Sequence, residues 1–216
     1  VLTSNTPHDM RFGYVGKPLY NVKIKIAEDG EILAKGPNIM LGYYKDSDST
    51  SKAIDDNGWF YTGDIGEIDL DGFLKITDRK KSLLVTSAGK NIAPAPLENA
   101  IKSSNYVDQV IVIGDKRNFI SALIVPSYND VNRYLNEKGK DDLSENALVD
   151  HPDVLSLFEK EIKISMKNFS TFETIKRFKL CPRPFSIEKG EMTPKMSIVR
   201  KKVLENFNDL IESIYK

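Results

Sequence analysis

Residues 59–66 read WFYTGDIG, and the chemistry in that run belongs to Asp64. A carboxylate accepts two hydrogen bonds at once, and a glycine beside it lets a ligand approach the backbone closely. A vicinal diol, such as that of a ribose, matches such a pair of oxygens. Glycine followed by aspartate also makes an ordinary turn, because glycine supplies a positive φ and aspartate bonds its own backbone. The eight residues alone leave both readings open. Further on comes a basic triplet, Arg79-Lys80-Lys81, which reads as a solvated turn or as a junction. The single cysteine, Cys181, precedes Pro182 in an apolar-edged stretch. It reads as a strand-end core residue rather than a nucleophile, and it has no partner for an internal disulfide.

Two kinds of element must position these groups. The stretch NVKIKIAEDGEILAKG alternates apolar and polar residues around Asp29-Gly30, a hairpin with a two-residue turn signal. DSDSTSKAIDD reads as a short capped helix, and GEIDLDGFLKITDRKKSLLVTS as a second hairpin about Asp71-Gly72. After the basic triplet the pattern changes. AGKNIAPAPLENAIKSS is a glycine loop and a helix entered through prolines, followed by apolar strands in VDQVIVIGD and NFISALIVPS. Helices are expected in YNDVNRYLNEKG and HPDVLSLFEKEIKISMKNFS, and a further strand in RFKLCPRPFS. One terminal helix is expected to carry Ile198, Val199, Val203, Leu204, Phe207, Leu210, Ile211 and Ile214 along its apolar side.

The fold class expected is therefore α+β: a small β-rich segment over residues 1–79, then a compact α+β domain over 80–216 with a small sheet flanked by helices. Lys plus Arg equals Asp plus Glu, 31 against 31, so no global field draws the chain to nucleic acid. No apolar run reaches bilayer length and no signal segment opens the chain. A reducing cytoplasm suits the lone cysteine. The opening Val1-Leu2-Thr3-Ser4 has neither initiator methionine nor cap, and suggests a fragment of something longer.

GWFYTGDIGEIDLDGFLKITDRKKSLLVTSAGKNIAPAPLE closely resembles the C-terminal core of the adenylate-forming enzymes, and most of all their long-chain fatty-acyl-CoA ligase branch. GEILAKGPNIMLGYYKD resembles that superfamily's preceding motif, and GEMTPKMSIVRKK its last one. The three motifs span the chain in order. The resemblance implies that residues 1–79 close the large adenylation domain and that 80–216 form the mobile C-terminal domain. It gives Asp64 the ribose hydroxyls of ATP and acyl-adenylate, and Arg79 the ribose or phosphate oxygens, which suits a fork that stays charged. Ile76 would lie against the nucleoside, and Tyr61 would either stack there or pack beneath the loop. Lys81 falls at the hinge, unless it is only a surface lysine. Gly89 would admit the pantetheine chain of CoA, and Lys90 would meet its anionic end or stay solvated.

The activity implied is a carboxylate attacking the α-phosphate of Mg-ATP, then the thiol of CoA displacing AMP from the acyl-adenylate. ATP, Mg2+ and CoA are the implied cofactors, with the Mg2+ site and the acyl-chain site outside this chain. Implied partners are the fatty acid, ATP or AMP, CoA and the N-terminal remainder of the ligase. A cytoplasmic location is expected, with room for peripheral contact at the inner membrane face. No metal-ligand set is expected here, and the fragment alone is expected to be inactive. The family's last motif places a substrate-bridging lysine where this sequence has Ser197, with Lys195 two residues earlier. On an extended segment those positions would share one side, roughly 6.5 Å apart, and a flexible lysine could cover the gap. The charge is assigned to Lys195; the alternatives are that Ser197 leaves the first half-reaction crippled or that another cation substitutes. Two alternatives stand beside this reading: an adenylate-former for amino or aryl acids, and a free-standing nucleotide- or partner-binding domain.

Overall fold

A computed structural model describes residues 1–216, and the chain divides into two compact units, Val1–Leu83 and Leu84–Lys216. The division falls just beyond the Arg79–Lys80 break expected from the pattern change.

The first unit carries β1 (Thr3–Ser4) paired with β2 (Lys17–Pro18), and a four-stranded antiparallel sheet. That sheet runs in chain order through β3 (Lys23–Ile26), β4 (Glu31–Lys35), β5 (Phe60–Ile68) and β6 (Leu74–Arg79). The helix α1 (Ser47–Ala53) starts at Asp46, whose carboxylate accepts from the Ser49 N–H at 2.9 Å. Both hairpins form where the alternation placed them, but the β3–β4 turn is a residue longer than its Asp29-Gly30 signal suggested. The Ala27 N–H donates to Glu31 O and the Gly30 N–H donates to Ala27 O, each at 2.9 Å. Only Gly30, at φ 86°, is left-handed, so Asp29 escapes the positive φ that a two-residue turn demands. Val22, Ile32, Leu33, Ala34, Ile65, Phe73 and Leu74 are the buried apolar residues of this unit. Gly66 explains the end of the opening octet. A Cβ there would lie 2.3 Å from Lys75 O and 2.7 Å from Ile32 Cδ1, so the sheet closes only around glycine.

The second unit begins with β7 (Leu84–Val85) and β8 (Asn91–Ile92), a short antiparallel ribbon, and continues into α2 (Pro94–Lys102). Its sheet has the order β11-β10-β9, from β9 (Val107–Ile113), β10 (Ser121–Pro126) and β11 (Arg177–Leu180). β9 and β10 are antiparallel, while β10 and β11 are parallel. Between them run α3 (Tyr128–Glu137), α4 (Glu145–Leu148) and α5 (Pro152–Ser165). Successive residues of β9 and β10 feed opposite faces, as the strand period requires. Val110, Val112, Ala122 and Ile124 pack with Leu97, Val131 and Phe158, while Ile111, Ile113, Leu123 and Val125 pack with Cys181, Val203 and Ile211. The sheet is thus covered on both faces, which is why its strands read as near-continuous apolar runs. Cys181 is fully buried, and burial pushes its thiol up to about 12. The expected single terminal helix is two, α6 (Arg200–Asn206) and α7 (Asn208–Tyr215), interrupted at Phe207 with φ −110°. Ile198 and Val199 fall outside both helices. Ile198 bridges to Met192, and the Val199 N–H bonds Glu191 O, so they belong to a hairpin instead.

Candidate functional site

Thr62-Gly63-Asp64 is a bulge in β5. Against β4, Leu33 faces Tyr61 and Glu31 faces Ile65, so Thr62, Gly63 and Asp64 stand opposite the one residue Ile32. Extra residues in one strand break the ladder and re-aim side chains. Here the bulge is pinned on both sides. Thr62 Oγ1 donates to Ile32 O at 2.7 Å and accepts from the Asp64 N–H at 3.2 Å. Gly63 is left-handed, at φ 73°, and its N–H donates to Glu31 Oε1 at 2.8 Å. Nothing lies within 4 Å of where a Gly63 Cβ would be, so this face of the bulge is open to solvent.

Asp64 faces Arg79 in register across β5 and β6, and its Oδ1 meets Arg79 Nε at 2.7 Å. The guanidinium is 70% exposed and the carboxylate 26% exposed, so both present polar edges outward from a partly dry base. Two hydroxyls of a diol could accept from the fork while donating to the carboxylate, without either charge being left bare. Tyr61, Thr62, Gly63, Arg79, Lys80 and Lys81 line one open cleft of about 850 Å3, together with Asp46 and Lys52. Ile76 is half-exposed on β6, opposite Gly66, and does not line the cleft. Lys81 lies in a single 3-10 turn, Lys80–Ser82, at the edge of this unit, and is exposed.

The remaining site residues lie on two hairpin tips of the second unit. Gly89, at φ 74°, donates to Thr86 O at 2.9 Å and caps the β7–β8 ribbon with open space around it. The ribbon is braced by a neighbouring loop, because Ser87 N bonds Arg117 O and Lys116 N bonds Val85 O. Lys90 is exposed, with Nζ 5.8 Å from the centre of the Phe172 ring.

Lys195 requires a correction. The segment around it is not extended: the Met196 N–H donates to Thr193 O at 2.9 Å, and the Thr193 N–H donates to Ser197 O at 2.8 Å. Pro194 and Lys195 are the central residues of a tight turn that Met196 closes at φ 61°, in the left-handed region. Lys195 therefore sits at the tip and Ser197 on the returning arm, and the same-side relation expected for a strand does not hold.

Two buried carboxylates, one beneath the Thr62–Asp64 bulge and one beside the Lys195 turn, were not singled out by the residue patterns alone. Glu31 is 3% exposed. Its Oε1 takes the Gly63 N–H while Oε2 takes Lys80 Nζ at 2.7 Å. Lys80 also meets Asp29 at 2.6 Å; bonding to Asp29 and then Glu31 raises its pKa, and Lys80 lowers that of Asp29. Glu191, just before the Lys195 turn, is fully buried. Burial by itself would raise its pKa, but the bidentate Arg183, Asn206 and the Ser186 N–H outweigh it and draw it down to about 2. The only sequence signal for either was a glutamate at an otherwise apolar strand or hairpin edge.

Residues 81–216 match the family described as the AMP-binding enzyme C-terminal domain. The chain is similar to the long-chain-fatty-acid–CoA ligase FadD15 of Mycobacterium tuberculosis, at 38% identity over 209 residues, covering 96% of this chain and 35% of that protein. It thus spans about a third of that relative's length. Among solved structures, the adenylation domain of a carboxylate reductase from Mycobacterium chelonae shares the fold, with a TM-score of 0.69 at 24% identity over 94% of this chain and 32% of that one. O-succinylbenzoate coenzyme A synthetase of Bacillus subtilis, solved with ATP and magnesium ion, has a TM-score of 0.61 at 25% identity over 93% of this chain and 38% of its own.

Proposed function

Because the chain belongs to the AMP-binding enzymes, whose C-terminal domain its residues 81–216 form, we propose that it is the C-terminal part of an ATP-dependent long-chain fatty acid–CoA ligase. The observation that carries this reading is the Asp64–Arg79 pair on a pinned bulge, beside an open cleft that Thr62, Gly63 and Arg79 line and Asp64 itself does not. In the first half-reaction a fatty carboxylate oxygen bonds to the α-phosphorus of ATP and pyrophosphate leaves with the pair of electrons from the broken P–O bond. In the second, the thiol of CoA adds to the acyl carbonyl, loses its proton, and AMP leaves. Asp64 accepts hydrogen bonds from the ribose hydroxyls, and Arg79 donates to ribose or phosphate oxygens. Ile76, outside that cleft, is given the nucleoside contact by the family resemblance alone, and Tyr61 stacks or packs beside the nucleoside. Lys195 stabilises charge passing between carboxylate and phosphate in the first step.

Between the steps the domain that follows Lys81 rotates about that residue, and the Gly89–Lys90 tip lines the path of pantetheine, with Lys90 near the anionic end of CoA. A hinge of this kind needs only a few residues able to change φ and ψ. Mg2+ supplies charge neutralisation at the triphosphate. Its ligands are assigned to the rest of the ligase. The acyl and triphosphate sites belong to the rest of the ligase, so the isolated chain is inactive. No helix is long and apolar enough to cross a membrane. The enzyme is assigned to the cytoplasm, with its fatty substrate reached at the inner membrane face.

In the full ligase, Asp64→Ala is expected to weaken ATP binding by about ten- to a hundredfold, the scale of hydrogen bonds to a charged group. Unaltered ATP affinity would remove the ribose assignment. Pyrophosphate exchange driven by long-chain acids is expected. Exchange driven by amino or aryl acids instead would move the protein to another branch of the same family, and no exchange with any acid would favour a binding module, the reading that Ser197 in the lysine position supports.

A further inference from the structure

We propose that Glu31 is a positioning residue that locks the two halves of the nucleotide site into one body and ends the hinge at Lys80. This rests on the ribose assignment above and adds a residue and a mechanical role to it. Glu31 touches neither Asp64 nor Arg79, yet it holds the chain neighbour of each: Oε1 takes the Gly63 N–H at 2.8 Å, and Oε2 takes Lys80 Nζ at 2.7 Å. It is the only one of the two acids on Lys80 that is buried, at 4% side-chain exposure against 41% for Asp29. A carboxylate taken out of water must spend both oxygens on donors, and here one donor comes from the bulge in β5 and the other from the turn that follows β6.

Three consequences follow from that geometry. The left-handed Gly63 is held in place by an acceptor that cannot swing away. Arg79 is fixed at its C-terminal side, because the next residue is moored to the turn between β3 and β4. The last anchored side chain before the exposed Lys81 is Lys80, so backbone rotation starting at Lys81 leaves the Asp64–Arg79 pair undisturbed. A lysine is suited to this role, since its flexible stem reaches two acids with separate N–H donors.

The test uses the 216-residue chain, isotopically labelled, as wild type, Glu31→Gln and Lys80→Met. Glutamine has one acceptor oxygen, so it can serve Gly63 or Lys80 but not both. Lys80→Met keeps Glu31 but leaves its buried carboxylate without its cation, which favours turning the carboxylate toward water and releasing the Gly63 N–H; native folding of each variant is checked by its amide spectrum. Both variants are expected to speed exchange of the Gly63 amide by about tenfold or more, the scale of one charged hydrogen bond. Both are also expected to shift the Arg79 Nε–H resonance, and to speed tryptic cleavage at the Lys80–Lys81 segment. The decisive result is Lys80→Met, which touches neither reporter directly. A Gly63 exchange rate and Arg79 resonance identical to wild type in that variant would overturn the coupling. Failure of the ribose assignment reads differently: in the full ligase Asp64→Ala would bind ATP normally while the exchange and resonance effects of Lys80→Met persist.

Discussion

At the scale of single residues, the chemistry depends on where charge can be held. Asp64 and Arg79 were legible as types, because a carboxylate next to glycine and a permanently charged fork each suggest ribose or phosphate oxygens. Their direct contact at 2.7 Å was not legible, since it depends on the register of β5 against β6 and on a bulge within β5. Lys195 presents the opposite case. Its position at the tip of a turn leaves its ammonium exposed and able to point in several directions. Lys195→Ala in the full ligase is expected to cut pyrophosphate exchange by about two to three orders of magnitude, roughly 3 to 4 kcal/mol of barrier. The thioester-forming step from preformed acyl-adenylate is expected to be much less affected. Undiminished exchange would transfer the bridging charge to another cation.

At the scale of elements, hairpins and helices followed their sequence patterns, and the deviations have local causes. The β3–β4 and β5–β6 turns share one three-residue form, in which only the glycine, Gly30 or Gly72, is left-handed, each at φ 86°. The last helix is interrupted at Phe207, where Asn206 turns its amide onto Glu191 and the Phe207 ring packs edge-on against Phe185. Glu191 thereby ties three segments under the Lys195 turn. Its pKa of about 2 lies below the ordinary glutamate value of 4.5, so the folded state favours the ionised form. The stabilisation is fully present above pH 4.5 and is lost as pH falls from there through about 2, where the folded state also takes up the proton. Denaturant titrations from pH 6 down to 3 should show a loss of about 2 kcal/mol in the second unit that is missing in Glu191→Gln, itself destabilised at neutral pH by about 3 kcal/mol. Equal pH dependence of the two proteins would assign that acid sensitivity elsewhere.

At the scale of the whole molecule, two units with separate cores meet in the chain at Lys80–Leu84. Limited trypsin digestion is expected to cut first after the exposed Lys81 and to leave two fragments that each resist further cleavage. Urea unfolding followed at Trp59 and by hydrogen exchange in β10 should then give separable transitions. A single transition by both probes, with no stable fragments, would contradict independent units. By itself the sequence determined the α+β class, most strands and helices, and the family, because periodicity, turn residues and motif order are properties of the chain read locally. Only the tertiary structure decided that the Thr-Gly-Asp run is a bulge, that Lys195 rides on a turn, and that Glu31 and Glu191 are the anchors. The anchors depend on which donors reach a buried carboxylate: for Glu31 they come from 32 and 49 residues away, and for Glu191 from Ser186, Arg183 and Asn206, brought round it only by folding.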